Sequence, residues 1–388
     1  MTAHLPSGRY AGALAVIAWL AIALAASAAL PGPSAQAAGR HVPQGFLGVN
    51  VNDGALDPGF PLERQADDMV ASGVESIAAQ LAWHEIQPTA DGPLDWRSSD
   101  RLVRLAALRG LRLLPVVLWT PFWATRDPAD PRLPPDPAAY ARFMGLLANR
   151  YGTRGSFWRE NPQLPRRPVR DWRIWNEPGI DQFWPRRWGM RRYVELLRAA
   201  YRSLADADRG ARVVLAGLPN RSWEDLATIY RLGGGGAFDR VSLHPFTAQP
   251  RNVVRIIEHN RAVMRRHGDG RMPILLSEVA AWPPVSLPIV AGRQSHSDRR
   301  RQALRVRQTL ELLVRERRRL RIDGVWWYTW FSADRSADYP FDYAGLRYER
   351  DGRILDKPAL GAYRRTALRL EGCRRKGSRA TRCALRAR

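Results

Sequence analysis

The sequence predicts a single (β/α)8 barrel, an α/β fold in which parallel strands alternate with helices. After residue 45, short apolar runs alternate with amphipathic helical stretches, which is typical of a parallel sheet with crossover helices. Eight such runs fit between residues 46 and 330, and no linker-like segment separates them. A doubly wound open sheet is the alternative that the same pattern allows.

Each strand candidate is a short apolar run followed by a helical pattern. Leu102, Leu105 and Ala106, for example, fall on one face of a helix after the second run. In a barrel the loops after the strands share one face, so we expect 179–190 and 279–296 to wall a cleft. The eight predicted strands are 46–51, 75–81, 112–119, 169–175, 211–217, 238–243, 272–277 and 322–330.

Residues 1–38 are expected to lie outside the fold. Arg9 provides a small positive region, residues 11–30 are apolar and Ala-rich, and an A-x-A-like cleavage site ends at Ala37. The apolar stretch is also long enough to span a bilayer uncleaved, so the segment is either a cleaved export signal or an N-terminal anchor. Both alternatives place residues 39–370, the predicted barrel domain, outside the cytoplasm.

The formal net charge is +24, and nearly all basic residues are arginine. Residues 371–388 form a basic tail, which could contact anionic cell-wall polymer or lipid headgroups. A solvated surface is the simpler interpretation of so many arginines. Nucleic acid is not an expected partner, because no recognition motif accompanies the charge and the protein is predicted to be exported.

The chain has two cysteines, Cys373 and Cys383, both within this tail. In an oxidising compartment they can pair and close a small basic loop. Nothing near them in sequence resembles a base or an orienting group, so a catalytic thiol is not expected. Two lone cysteines also make a metal site improbable, and we expect no metal and no cofactor.

Two glutamates follow apolar runs at the ends of predicted strands. Glu177, in the sequence Trp-Asn-Glu-Pro, follows the fourth run, and Pro178 prevents simple continuation of that strand. Glu278 closes the seventh run. Two carboxyl groups at strand ends suit cleavage of a glycosidic bond, and retention of configuration requires them about 5–5.5 Å apart. Either glutamate alone is equally well explained as a surface carboxylate.

Several motifs resemble glycoside hydrolase clan A, a group of retaining TIM-barrel glycosidases, with the family 39-like and family 5-like branches the nearest. The resemblance covers about residues 45–368. It rests on Trp175–Pro178 and Glu278, and on the stretches Gly48–Asn50, Leu118–Trp123, Ser242–Phe246, Trp327–Trp330, Tyr343–Leu346 and Asp356–Ala359.

This resemblance implies that Glu177 is the acid/base and Glu278 the nucleophile. An aromatic, apolar setting would raise the pKa of Glu177 and keep it protonated, and Asn176 would reach the sugar 2-hydroxyl. Two departures stand out. Related sequences often carry an Arg in the second strand and a Tyr close to the sixth strand, where this chain has Gln80 and Phe246. These departures leave open how Glu278 is kept ionised.

Further side chains are candidates for substrate binding. His244 is expected to contact the substrate or the nucleophile within the cleft. Trp330 is the first candidate for a sugar platform, and Trp123 and Trp184 are weaker candidates. Tyr328 is a further candidate for substrate binding. Core packing is the alternative for each of these aromatic residues.

The sequence therefore predicts a secreted or cell-surface retaining β-glycosidase, active as a monomer on oligo- or polysaccharide by double displacement. The competing hypothesis is a catalytically inactive barrel that binds carbohydrate or serves as a scaffold at the cell surface, because a fold alone does not grant an activity.

Overall fold

The computed structural model describes residues 39–51, 60–130, 133–376 and 379–383, with side chains as far as Cys373. The predicted export segment, residues 1–38, and most side chains of the tail lie outside the described residues. Among the described helices, none combines the length and apolar content needed to cross a membrane.

Eight parallel strands form one sheet in the order β5-β4-β3-β2-β1-β8-β7-β6. Isolated parallel bridges join Val214 to Arg240 and Leu218 to Leu243, so β5 meets β6 and the sheet closes. The predicted (β/α)8 barrel is confirmed, and the open-sheet alternative is wrong. The strands are β1 Leu47–Asn50, β2 Ser76–Ala82, β3 Arg112–Leu118, β4 Asp171–Ile174, β5 Arg212–Val214, β6 Val241–Leu243, β7 Ile274–Val279 and β8 Ile322–Trp327.

Helices cover the outside of the barrel, and local sequence fixes several of their ends. The Asp136 carboxylate accepts hydrogen bonds from the first backbone N–H groups of α4, and a capping box between Ser295 and Asp298 starts α9. Gly110 ends α3 in the left-handed conformation that glycine favours. The helices are α1 Leu62–Ala71, α2 Trp83–Ile86, α3 Arg97–Arg109, α4 Pro137–Tyr151, α5 Ser156–Glu160, α6 Gly189–Ala207, α7 Ser222–Arg231, α8 Pro250–Arg266, α9 His296–Glu316 and α10 Pro358–Leu370.

The core has two layers, because strand side chains alternate between the helices and the barrel interior. The large outer cluster packs strands against helices. A separate cluster fills the interior and draws on five strands through Ala78, Leu114, Val214, Leu275 and Trp326. These apolar residues close the centre of the barrel.

A buried carboxylate marks the end of the barrel at which the strands begin, which we call the bottom. Asp171, the first residue of β4, accepts from Arg112 and Arg212 at 2.9 Å and lies 2.8 Å from Arg240. Three arginines around one carboxylate tie β3, β4, β5 and the start of β6 together. The opposite end, where the strands finish, is the top.

The β8–α10 connection carries three further strands, β9 Phe331–Ser332, β10 Arg347–Arg350 and β11 Arg353–Asp356. After α10 the tail forms an antiparallel pair, β12 Cys373–Lys376 and β13 Arg379–Cys383. Its register sets Cys373 opposite Cys383, as a cross-strand disulfide would require.

Candidate active site

The first candidate carboxyl, Glu177, lies at the top of the barrel, three residues after β4 ends. Trp175 and Glu177 both have positive φ, 65° and 40°, which non-glycine residues rarely adopt. Trp175 is held there by packing against Tyr140 and Trp184, and its indole N–H donates to the Phe183 carbonyl at 3.0 Å. Backbone held in such strained conformations clusters at functional sites. Here it turns the Glu177 side chain inward, where it is 7% exposed.

The second candidate carboxyl, Glu278, lies in the last part of β7 and is 6% exposed. One carboxylate oxygen of Glu278 and one of Glu177 lie within 4.8 Å of each other. This separation is close to the 5–5.5 Å that a double displacement requires and well short of the larger gap that leaves room for water in inverting enzymes.

His244, just after β6, links the two glutamates and is fully buried. Its Nδ1 lies 2.7 Å from Glu177 Oε1, while its Nε2 lies 2.9 Å from Ser277 Oγ and 3.5 Å from Glu278 Oε1. Ser277 in turn shares a hydrogen bond of 2.5 Å with Ser242. The sequence predicted a contact with substrate or nucleophile, and the structure adds the bond to Glu177.

Gly217, after β5, provides the space for this histidine. A Cβ built on Gly217 would lie 1.8 Å from His244 Nε2, so even alanine would displace the ring. Burial lowers the pKa of His244 to about 3, which makes the imidazole neutral at ordinary pH. By changing tautomer, a neutral ring can accept a hydrogen bond at Nδ1 from protonated Glu177 or donate a hydrogen bond from Nδ1–H to ionised Glu177.

Burial raises the pKa of Glu177 to about 7, and the positive charge of Arg173 acts in the opposite direction. Burial is the larger of these two effects on the pKa of Glu177. A carboxyl that titrates near neutrality can donate a proton in one step and accept it in the next.

Arg173 is the residue that the sequence analysis missed. It lies in β4, is 1% exposed and points into the barrel, where its guanidinium lies 3.7 Å from Glu278 Oε1. It also lies 3.3 Å from His244 Nε2 and donates to Asn176 Oδ1 at 3.3 Å. The signal was available, because an Arg in a buried strand, two residues before the Trp175–Pro178 motif, needs a buried anion.

In this chain the arginine that lies near Glu278 comes from β4, whereas related sequences often carry one in β2. Gln80 of β2 instead accepts from the Trp119 indole at 2.8 Å. Phe246, where related sequences often have Tyr, packs against Trp282, Tyr328 and Phe341 and forms no bond to Glu278 through its ring.

Glu177, His244 and Glu278 each offer one ligand atom, and these atoms lie within 4.8 Å of one another, which is close enough to hold a metal ion. Arg173 argues against a cation here, because it already places a buried positive charge beside Glu278. The residues therefore fit proton transfer better than metal binding.

The aromatic candidates fall into three groups. Trp330 and Trp184 are core residues, 1% and 3% exposed, and their indole N–H groups donate to Gln65 and to the Gly189 carbonyl. The sugar-platform expectation is wrong for both, because neither offers an open ring face. Trp123 is half-buried against Trp83 on the outer wall, and its indole N–H donates to the Gln87 carbonyl.

Two further aromatic residues lie at the top of the barrel, each directly after a strand. Tyr328 follows β8 and is half-buried, with its ring 5.9 Å from Phe246. Trp119 follows β3, is 39% exposed and contacts Phe183. Trp119 belongs to the Leu118–Trp123 stretch and was not predicted as a platform, although its place directly after a strand indicates the top of the barrel.

Comparison with known proteins supports the fold. No protein-family model matches the sequence, and no curated protein matches it. Solved structures do. A family 39 glycoside hydrolase from Bacteroides cellulosilyticus WH2 matches with a TM-score of 0.64 at 16% identity, over 84% of this chain and 64% of that one.

Two further structures agree. A monomeric beta-xylosidase from Caulobacter crescentus CB15 gives a TM-score of 0.60 at 18% identity, covering 84% of this chain and 69% of that one. A glucosidase from Croceicoccus marinus gives a TM-score of 0.61 at 14% identity, covering 86% of this chain and 70% of that one. The chain thus spans about two thirds of the length of these proteins. At such identities the likeness shows the (β/α)8 fold alone.

Proposed function

We propose that the protein is a retaining β-glycosidase in which Glu177 is the acid/base and Glu278 the nucleophile. The observation that carries the proposal is the pair of buried carboxyl groups, within 4.8 Å of each other at the top of the barrel. Their surroundings differ in the way the two roles require, with a neutral imidazole beside Glu177 and a guanidinium beside Glu278.

In this proposal the positive charge of Arg173 keeps Glu278 ionised. A buried positive charge within 4 Å favours the charged form of a carboxyl, and one buried cation can balance one buried anion. With His244 neutral and Glu177 protonated below about pH 7, the four groups carry no net charge when Glu278 is ionised. This is the protonation state from which a double displacement starts.

In the first step the ionised Glu278 attacks the anomeric carbon and forms an ester bond to it. The bond between that carbon and the leaving oxygen breaks, and the proton of Glu177 passes to this oxygen. Asn176, held by Arg173, would bind the 2-hydroxyl of the sugar. Trp119 and Tyr328 would contact its apolar faces.

In the second step water attacks the anomeric carbon and Glu177 removes its proton. Glu278 is now an uncharged ester, so Arg173 no longer has its anion and favours ionised Glu177 instead. His244 then changes tautomer and donates a hydrogen bond from Nδ1–H to the Glu177 carboxylate. Breaking the ester bond returns the electron pair to Glu278 and restores the starting state.

The wider setting is also proposed. Residues 1–38 export or anchor the protein, 39–370 form the glycosidase domain, and the tail, 371–388, carries a disulfide between Cys373 and Cys383. The enzyme works as a monomer in polysaccharide degradation outside the cytoplasm, and its basic tail contacts anionic cell-wall polymer or lipid headgroups.

The test is a panel of nitrophenyl β-glycosides and polysaccharides with the wild type and Glu278→Ala. We expect the substitution to abolish turnover, with a loss on the order of 10⁴-fold or more, because no covalent intermediate can form. Azide, a small external nucleophile, should restore turnover and give an α-linked product. If the wild type and Glu278→Ala behave alike on every substrate, the alternative of an inactive carbohydrate-binding barrel is supported instead.

A further inference from the structure

The two ends of the barrel differ in how their charges are paired. At the bottom, several carboxylates are already bound to arginine: Glu75 to Arg40, Asp171 to three arginines, Glu160 to Arg150, Glu316 to Arg319 and Asp323 to Arg240. Glu371 is fully buried, and burial together with nearby Glu75 raises its pKa above the usual range. These carboxylates leave little negative charge to neutralise further arginines.

Arg319 and Arg369 are exposed at the bottom and paired with carboxylates, but nine other exposed arginines there lack such partners. They come from three connections around the barrel, those leading into β4, β7 and β8. Within the described part of the chain, none of them forms an ion pair. They are Arg166, Arg167, Arg170, Arg265, Arg266, Arg271, Arg315, Arg318 and Arg321.

Two concavities at this end are lined by arginine. One, of about 220 Å³, lies where β3 and β4 begin and is bordered by Arg167 and Arg170. The other, of about 610 Å³, lies between the ends of α9 and α10 and is bordered by Arg315 and Arg318. Guanidinium groups bind phosphate oxygens through two parallel hydrogen bonds, so such surfaces suit phosphate-bearing partners.

The top is different, because it mixes the two signs. Its exposed carboxylates include Glu85, Asp91 and Asp338, for which no ion pair occurs among the described residues. The chain also meets the barrel at its bottom end on both sides. It enters at Gly39, beside Arg40, and leaves after Leu370 into the basic hairpin. The apolar stretch of residues 11–30 therefore precedes the basic end of the barrel in sequence.

We infer that the bottom of the barrel is a docking surface for the anionic phosphate headgroups of a membrane. A planar lipid surface is favoured over a single soluble chain, because the unpaired arginines come from three separate connections and are not confined to one groove. Docking by this end points the carboxyl pair away from the lipid, so the cleft stays open to substrate. Attraction of this kind acts within about 10 Å at ordinary salt.

The experiment uses the full-length protein and vesicles of neutral phosphatidylcholine, or of the same lipid with about one third phosphatidylglycerol. Binding to neutral vesicles measures the contribution of the apolar segment. The increase in affinity from neutral to anionic vesicles measures the contribution of charge, and we call it the anionic gain. The bottom variant is Arg315→Glu with Arg318→Glu, and Arg167→Glu with Arg170→Glu is its independent counterpart. The matched control is Arg350→Glu with Arg353→Glu, which reverses two exposed, unpaired arginines of the β10–β11 hairpin.

We expect each bottom variant to lose the anionic gain by about tenfold or more, and the control to keep it within about twofold. The wild-type gain should vanish in high salt. Three outcomes would overturn the inference: no gain in the wild type, equal losses in bottom and control variants, or tight binding to polyphosphate but not to anionic vesicles. Thermal unfolding checks that each variant is folded. No substrate is used, so the result does not depend on the glycosidase proposal.

Discussion

The ends of β4 and β7 present the same side chain in opposite surroundings. Glu177, after β4, shares a hydrogen bond with a neutral, buried imidazole at 2.7 Å. Glu278, in β7, has a guanidinium 3.7 Å away. Both carboxyl groups are buried, so burial alone cannot separate their roles. The neighbouring charge decides which one holds a proton.

Arg173 and His244 therefore matter as much as the carboxyl groups. Arg173 comes from β4, the strand that leads to Glu177, yet its guanidinium lies beside Glu278. His244 comes from β6 and touches both carboxyl groups. The site works as one coupled unit in which a change at either glutamate alters the charge that the other experiences.

The largest effect after loss of the nucleophile should come from Glu177→Ala. Hydrolysis of natural glycosides should fall by about 10²–10⁴-fold, because the leaving oxygen then departs without a proton. Nitrophenyl glycosides with acidic leaving groups should lose less in the first step, since they need little protonation. Rates across a series of leaving groups measure this dependence. An equal loss on all substrates would mean that Glu177 is not the proton donor.

Arg173→Met tests the contrast between the two glutamates directly. We expect kcat/KM to fall on the order of 10²-fold, because Glu278 loses its buried counter-ion. In the wild type, activity should decline as pH rises past about 7, where Glu177 loses its proton. Arg173 lowers the pKa of Glu177, so its removal should move this alkaline limb to higher pH. The acid limb, set by ionisation of Glu278, should also move upward.

The matched control is Arg261→Met. Arg261 is also buried, but it donates to the backbone carbonyls of Met272 and Leu320, far from the carboxyl pair. This variant should lose stability while its pH profile keeps the wild-type shape. Identical profiles for Arg173→Met and the wild type would show that Arg173 does not set the charge of Glu278.

The sequence predicted the barrel and the carboxyl pair because both depend on local patterns. Alternating apolar runs identify strands, and a polar residue directly after a buried strand lies at the top of a barrel. Glu177 and Glu278 satisfy that rule. His244, directly after β6, satisfies it too, and the sequence predicts its contact with substrate or nucleophile. Arg173 and Ser277 do not follow from the rule, because they lie within β4 and β7 and meet His244 only across the closed barrel.

The aromatic residues show the same limit. Trp119, Trp184 and Trp330 all occur in loops near the top, and composition does not separate them. Trp330 is buried because its indole N–H reaches Gln65 of α1, a contact that spans most of the chain. Trp119 is 39% exposed and has a positive φ of 64°. Such contacts arise from tertiary packing, which local spacing does not encode.

Gly217→Ala should have a moderate effect through His244. The added methyl carbon would overlap the ring, so the histidine must move and weaken its bonds to Glu177 and Ser277. We expect a loss of about 1–3 kcal/mol in the free energy of unfolding, typical of overpacking, together with reduced kcat. Gly361→Ala, in α10, is the control.

At Gly361 a new methyl group meets only the flexible end of Arg365, at 3.2 Å. Since alanine favours a helix over glycine, that variant should be neutral or more stable by up to about 1 kcal/mol. Urea unfolding and steady-state kinetics on both variants measure the difference. Unchanged kinetics in Gly217→Ala would mean that the position of His244 does not matter for turnover.

The smallest effect on catalysis should come from removal of the tail. Glu371 is fully buried, so the deletion should begin at Cys373 and leave the end of α10 intact. A disulfide between Cys373 and Cys383 would close a loop with nine intervening residues and contribute at most about 2–3 kcal/mol by the chain-entropy model. Little of this stabilisation should reach the barrel, because β12 and β13 pair only with each other among the described strands.

Without the tail, activity on a small neutral glycoside should therefore stay close to wild type, while salt-sensitive binding to anionic material weakens. Mass spectrometry of the non-reduced protein checks the disulfide, and loss of small-substrate activity on truncation would show that the tail supports the catalytic fold.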